Sequence, residues 1–250
     1  MISIEHVHKA FDGNEVLSDI STQFSQGNIN MIIGASGSGK TVLMKCIVGL
    51  HEPSSGQIYY NDREFTCLSY NQKKNLRKEM GMLFQGSALF DSLNVEENVG
   101  FALRIFTQKT NKEVRERVDS CLERVNLGKV NKLYPSELSG GMKKRVGIAR
   151  AIAMNPAYLF VDEPNSGLDP QTASVIDNLI KEITVDFNVT TVINTHDMNS
   201  IFEIGEHILF LHQGNKWWEG SPSQIQQTTN PELQAFVYSS EFIRQRHAGD

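Results

Sequence analysis

The sequence predicts an α/β fold on a mostly parallel core sheet, with an antiparallel β subdomain at the N-terminus and a helical subdomain inserted at about 86–155. Three observations predict it. Residues 2–24 alternate loosely, with Ile2, Ile4 and Val7 answered by Leu17, Ile20 and Phe24 across an Asp12-Gly13-Asn14 turn, as antiparallel strands do. The short apolar run Ile29–Ile33 enters a glycine-rich loop, after which Val42, Leu43, Cys46, Ile47 and Leu50 fall at helical spacing. Farther on, stretches that read as strands at 158–161, 190–194 and 208–211 alternate with helical patterns, which is how a parallel sheet with crossover helices reads.

The remaining elements follow in order. Residues 56–60 and 80–84 read as strands. From 95 to about 125 the pattern is helical. Val114, Val118, Cys121, Leu122 and Val125 form one apolar stripe there, and Arg115, Glu116, Asp119, Glu123 and Arg124 lie off it. A helix is expected from near 139 past 152 and another over 172–185. Gln213-Gly214-Asn215 predicts a hairpin turn ahead of Lys216-Trp217-Trp218. Beyond 229, Leu233, Phe236 and Val237 suggest an amphipathic turn followed by a polar tail, so 230–250 reads as a C-terminal extension. No repeat or long linker divides the chain.

Composition bounds the function. With 40% hydrophobic and 21% charged residues over 250 positions, a sizeable core forms, and collagen-like and disordered classes are excluded. A net charge of −5 argues against wholesale binding to a nucleic-acid backbone, so no nucleic-acid partner is expected. Cys46, Cys67 and Cys121 are few, odd in number and far apart, which fits neither a disulfide framework nor a structural zinc site and suits the reducing cytosol. No apolar run reaches the roughly 18–20 residues of a membrane span. The expected location is cytoplasmic, with any work at a membrane done as a peripheral subunit.

Gly34-Ala35-Ser36-Gly37-Ser38-Gly39-Lys40-Thr41 fits G-x-x-x-x-G-K-[ST] between a strand and a helix. Glycines let successive backbone N–H groups converge on phosphate oxygens, and the following helix N-terminus adds a favourable dipole. Lys40 would reach the β- and γ-phosphates and the Thr41 hydroxyl would ligate Mg²⁺. The apolar run 157–161 ends in Asp162-Glu163. An Asp at a strand tip holds the Mg²⁺ that bridges the phosphates, and the adjacent Glu is placed to polarise an attacking water. The expected activity is nucleotide hydrolysis.

Leu138-Ser139-Gly140-Gly141-Met142 precedes a helix about 20 residues ahead of the Asp-Glu pair. With these motifs in this order, the chain resembles the ATP-binding cassette (ABC) ATPases from Ile2 to about Ser223. The resemblance implies a P-loop cassette domain over 1–229, with ATP and Mg²⁺ as ligands. It implies that Phe11 stacks on adenine, although a strand-edge core role suits that residue too. It implies that Gln85 contacts Mg²⁺ or water, that Asp169 of Ser166-Gly167-Leu168-Asp169 crosses a dimer interface, and that His196 touches the γ-phosphate. It further implies a head-to-tail dimer with a second copy of the chain, with ATP between one P-loop and the Ser139, Gly140 and Gly141 of the other copy. Met142 departs from the Gln usual at that place.

Residues 85–99 and 140–146 look like the ATPases of MCE-type (Mla-like) phospholipid transporters. That implies an integral inner-membrane permease as partner, with an MCE-domain protein and, through the C-terminal extension, a small accessory protein. Two alternatives stand beside it: the ATPase of an amino-acid or other solute importer, and a soluble ABC ATPase of the iron–sulfur assembly type. Leu89 and Phe90 either accept a short helix of the permease or fill a junction between subdomains. The basic clusters Lys73, Lys74, Arg77, Lys78 and Lys143, Lys144, Arg145 read as solvated helix faces or as contacts to membrane lipid.

Overall fold

A computed structural model describes residues 1–238, so the polar tail beyond them lies outside the described residues. The chain opens with β1 (Ile2–Phe11), β2 (Asn14–Phe24) and β3 (Ile29–Ile33), then α1 (Lys40–Ile47). Next come β4 (Ser55–Tyr60), β5 (Arg63–Glu64), α2 (Tyr70–Arg77) and β6 (Met80–Leu83). Three helices follow, α3 (Val95–Phe106), α4 (Asn111–Arg124) and α5 (Gly140–Ile152), and then β7 (Tyr158–Asp162) and α6 (Pro170–Asp186). The last stretch holds β8 (Thr190–Thr195), α7 (Met198–Ile204), β9 (His207–His212), β10 (Asn215–Gly220), α8 (Pro222–Ile225) and α9 (Pro231–Tyr238). These elements form two compact units, one of Met1–Lys73 with the chain from Thr190 onward, the other of Lys74–Val189.

In the first unit, β1 pairs antiparallel with β2 and with β4, and the inward residues Ile2, Ile4, Val7, Leu17, Ile20 and Phe24 are buried. The β1–β2 turn runs through Asp12 and Gly13, both left-handed, as a two-residue hairpin with right-handed strand twist requires. Every residue of β3 is buried, and β3 pairs in parallel with β8 and β9 on its two sides. A strand covered on both faces reads as a nearly continuous apolar run, as Ile29–Ile33 does apart from Asn30, whose buried amide bonds to the Ser25, Asn28 and Thr191 carbonyls. The β9–β10 hairpin forms as the Gln213-Gly214-Asn215 turn predicts. The start of the C-terminal extension packs back on that hairpin: Trp217 Nε1 donates to Glu232, and Phe236 stacks on Phe210.

Glu219 stitches three strands of this unit. It accepts hydrogen bonds from Thr22 of β2, His207 of β9 and Lys216 of its own strand. Burial pushes its carboxyl upward, but the bonds from His207, Lys216 and Thr22 and the Lys216 charge outweigh it and hold the pKa at about 2. The sign follows from linkage. A depressed carboxylate stabilises the fold above its unfolded pKa of about 4.3, and that contribution disappears as pH falls toward 2. We expect Glu219→Gln to cost about 1.5–3 kcal/mol at neutral pH. Its thermal stability should depend less on pH than the wild type between pH 5 and 2, as read by circular dichroism melts. Parallel pH profiles for the two proteins would contradict this.

In the second unit the helical pattern over 95–125 takes the form of two helices, α3 and α4. Asn94 and Glu97 form a capping box at the start of α3, and Thr110 and Glu113 form another at the start of α4. Between them Thr107 is extended and its hydroxyl takes the Leu103 carbonyl, closing α3. The apolar stripe alone cannot see such a break, because both helices bury the same kind of face. Thr110-x-x-Glu113 was the legible sign of a new N-terminus. Here β6 and β7 pair in parallel, with Leu83 opposite Val161 as the last rung.

Candidate functional site

The glycine loop follows β3 and ends where α1 begins at Lys40. Gly34 and Gly39 are left-handed, and a Cβ on Gly34 would stand 2.3 Å from the Leu211 carbonyl oxygen, so no other residue fits there. Gly39 occupies the N-cap of α1 without any side-chain hydrogen bond, leaving the helix N-terminus to be satisfied by something other than a cap. The Ser38 hydroxyl is buried and has no hydrogen-bond partner among the described residues. Lys40 is buried, and its ammonium donates to the carbonyls of Gly34 (2.7 Å) and Ala35 (3.0 Å). An uncapped helix start, an orphaned hydroxyl and a buried cation around one loop fit a polyphosphate.

Ala35, Ser36, Gly37 and Thr41 are exposed at this loop. Phe11 stands 38% exposed at the end of β1, with the Lys9 ammonium 4.6 Å from its ring centre and His51 edge-on at 5.2 Å. His196 is exposed immediately after β8, ahead of the Asp197 cap of α7.

In the second unit, Asp162 is buried at the last position of β7, and Glu163 follows with a left-handed backbone (φ 48°). A non-glycine residue in that conformation is uncommon and turns the chain sharply off the strand end. Gln85 is exposed just beyond β6. Ser139 is the N-cap of α5, accepting from the Met142 N–H at 3.3 Å. The two glycines beside it differ in reason. A Cβ on Gly141 would press on Thr172 at 2.6 Å, so the fold itself demands glycine there. At Gly140, an exposed position, the nearest atom would be at an ordinary 3.5 Å, so packing within this chain does not require glycine there. Asp169 caps α6, accepting from the Thr172 hydroxyl and N–H, and these bonds hold its carboxyl below the usual range.

The expected solvated face at Lys143, Lys144 and Arg145 needs correction at Lys144. That residue is 5% exposed, and its ammonium donates to the carbonyls of Gln85 (2.5 Å) and Glu163 (3.0 Å). Burial pulls its pKa down against the Glu163 and Asp162 charges, which hold it up. Arg150, from the same helix, donates to the carbonyls of Ser87 and Ala88. A run of three basic residues gave no sign of this, because only contacts made far along the chain distinguish the middle one. Among the described residues no helix is long and apolar enough to cross a membrane.

The comparisons with known proteins follow the same outline. The family model described as ABC transporter matches residues 17–166. The chain is 38% identical over 97% of its length to the methionine import ATP-binding protein MetN of Campylobacter jejuni, covering 77% of that protein. It is also 38% identical over 90% of its length to the arginine transport ATP-binding protein ArtM of Bacillus subtilis, covering 93% of it. The dimeric post-hydrolysis structure of the ATP-binding cassette MJ0796 bound to ADP and Pi superposes with a TM-score of 0.82 at 30% identity, over 88% of this chain and 98% of that one. With the glycine loop, the Asp-Glu strand end and the Ser-Gly-Gly helix start in place, the chain belongs to the ABC transporter family as an ATP-binding subunit, an ATPase working on ATP with Mg²⁺.

Proposed function

We propose that this ATPase acts as a pair of identical subunits beneath a membrane permease, with ATP hydrolysis powering movement of a cargo through it. The observation that carries the reading is the glycine loop, whose uncapped helix start, orphaned Ser38 hydroxyl and buried Lys40 are arranged for a polyphosphate. In this reading the N–H groups of Gly34–Thr41 cradle the phosphates and Lys40 neutralises the β- and γ-oxygens. Phe11 stacks on adenine. Thr41 and Asp162, with Gln85, would hold Mg²⁺, which would offset the negative charge of the phosphates. Glu163 takes the proton of the attacking water and His196 steadies the γ-phosphate. Ser139, Gly140 and Gly141 of the second copy complete the site, and the bare Gly140 leaves its helix start open to an anion. Asp169 then lies at the contact between copies.

Cargo is chosen by the permease, so the ATPase carries only indirect information about it. Amino-acid uptake has the broader support, since relatives matched over most of the chain are methionine and arginine transport ATPases. A second reading, phospholipid transport with an MCE-domain partner, rests on residues 85–99 and on Gly140 to Val146. The local structure there gives this stretch a defined form. Asn98, fully buried, bonds to the Phe90 backbone through both N–H and carbonyl and to the Leu93 carbonyl, while Phe90 stays 44% exposed and stacks on Phe101 at 4.8 Å. An exposed aromatic pair, Phe90 on a hydrogen-bonded loop and Phe101 on α3, suits a short amphipathic helix from a permease.

Phe90→Asp tests that docking. The isolated variant should keep its basal ATPase within about twofold. Capture of membrane protein from detergent-solubilised membranes should be lost, because a carboxylate buried unpaired at an interface costs roughly 2–5 kcal/mol. Mass spectrometry of the wild-type capture separates the cargo readings: an amino-acid permease supports the first, and an MCE-domain protein with co-purified phospholipid supports the second. Capture undiminished in Phe90→Asp would remove Phe90 from the interface.

A further inference from the structure

We infer that Lys144 is a positioning residue of the ATPase reaction, its ammonium bridging the carbonyls of Gln85 and Glu163 so that the two strand ends bearing catalytic groups are held in one register. This rests on the roles given to Gln85 and Glu163 under Proposed function. Gln85 and Glu163 each lie two residues beyond the last rung of the parallel β6–β7 ladder, Leu83 opposite Val161. Past that rung no ladder bond ties the strands. The Gln85 and Glu163 carbonyls both come within reach of one side-chain donor there, the Glu163 oxygen also accepting from the Ser166 N–H. Lys144 supplies it at 2.5 and 3.0 Å from a position 5% exposed. An ammonium has three donors and can serve both oxygens at once, in effect adding a rung made of side chain.

The backbone beyond these ends is unusual in the same places. Glu163, Ser87 and Ala88 are all left-handed non-glycine residues, with φ of 48°, 61° and 44°. Such conformations persist where the surroundings over-determine them. The cations of α5 do so here, since Arg150 takes the carbonyls of Ser87 (2.6 Å) and Ala88 (2.7 Å) while Lys144 takes those of Gln85 and Glu163. The same helix starts at Ser139, the residue assigned to the second copy's nucleotide. Lys144 therefore ties the loop after β6 and the Glu163 turn to α5, the helix that Ser139 caps. A displacement of the Gln85 loop moves Glu163 through it.

The test compares Lys144→Met, which keeps length and apolar bulk but removes every donor, with Lys144→Arg, which restores donors. Turnover, KM for MgATP, binding of a fluorescent ATP analogue and melting temperature are measured on each. Misplacing a catalytic group by about 1 Å costs up to about 100-fold, so kcat of the folded Lys144→Met protein should fall roughly 10–100-fold. Its KM and analogue binding should stay within about threefold. Lys144→Arg should recover most of the loss. Wild-type turnover by Lys144→Met would overturn the inference, as would a kcat that drops in both variants alike and only in proportion to folded protein. If Lys144→Met does not fold, Lys144→Gln replaces it: turnover below that of Lys144→Arg supports the inference, and turnover equal to wild type overturns it. Glu163→Gln is run alongside. Full activity there removes the role of Glu163 and the inference with it, whereas an inactive Glu163→Gln beside a fully active Lys144→Met defeats the inference alone.

Discussion

Glu163→Gln should bind ATP and fail to hydrolyse it. The substitution keeps the size of the side chain and its power to accept a hydrogen bond, but it removes the charge that draws the proton from the attacking water. General-base catalysis contributes about 10²–10⁴-fold, and kcat should fall by that much while ATP affinity changes little. In the proposed arrangement the γ-phosphate then stays in place between the P-loop of one copy and Ser139 to Gly141 of the other. The variant should therefore run as a dimer on size-exclusion chromatography with ATP and Mg²⁺, and as a monomer without nucleotide. Normal turnover would transfer the proton-abstracting role away from Glu163, with His196, exposed after β8, next to be tested.

Lys40→Ala should fail one step earlier, at binding. Lys40 is the one cation of the glycine loop, and in the structure it is already desolvated and held on the Gly34 and Ala35 carbonyls. An ammonium so placed has little water to shed when phosphate approaches, which makes its attraction strong in a site of low polarity. We expect ATP affinity to fall about 10–100-fold, which is about 1.4–2.8 kcal/mol, and kcat to fall a further 10²–10³-fold. Losing a donor to two carbonyls also loosens the loop itself. Isothermal titration and a melting curve separate the two effects: a variant with wild-type melting behaviour and lost affinity places the defect in phosphate contact. Wild-type affinity and turnover in a folded Lys40→Ala protein would overturn the assignment.

Both predictions could be written from the amino-acid sequence, because the chemistry they touch is contiguous in the chain. Residues 34–41 are eight consecutive positions in which glycine conformation, a cation and a hydroxyl act over a single turn of backbone. Residues 158–163 likewise carry their meaning as one buried strand ending in two carboxylates. The β1–β2 hairpin, the all-buried β3 and the Ser139 cap were legible for the same reason: alternation, continuous apolar runs and caps are local rules. What the sequence could not decide was set by residues distant from one another. Lys144 looks like Lys143 until the fold brings the Gln85 and Glu163 carbonyls to it from 59 and 19 positions away. Glu219 looks like any strand carboxylate until Thr22 and His207 converge on it. The sequence by itself determined the nucleotide, the reaction and the strand–loop–helix proposed to receive the phosphates. Only the tertiary structure decided which charged side chains are buried, since a charge leaves water only where the fold supplies hydrogen-bond partners to replace it.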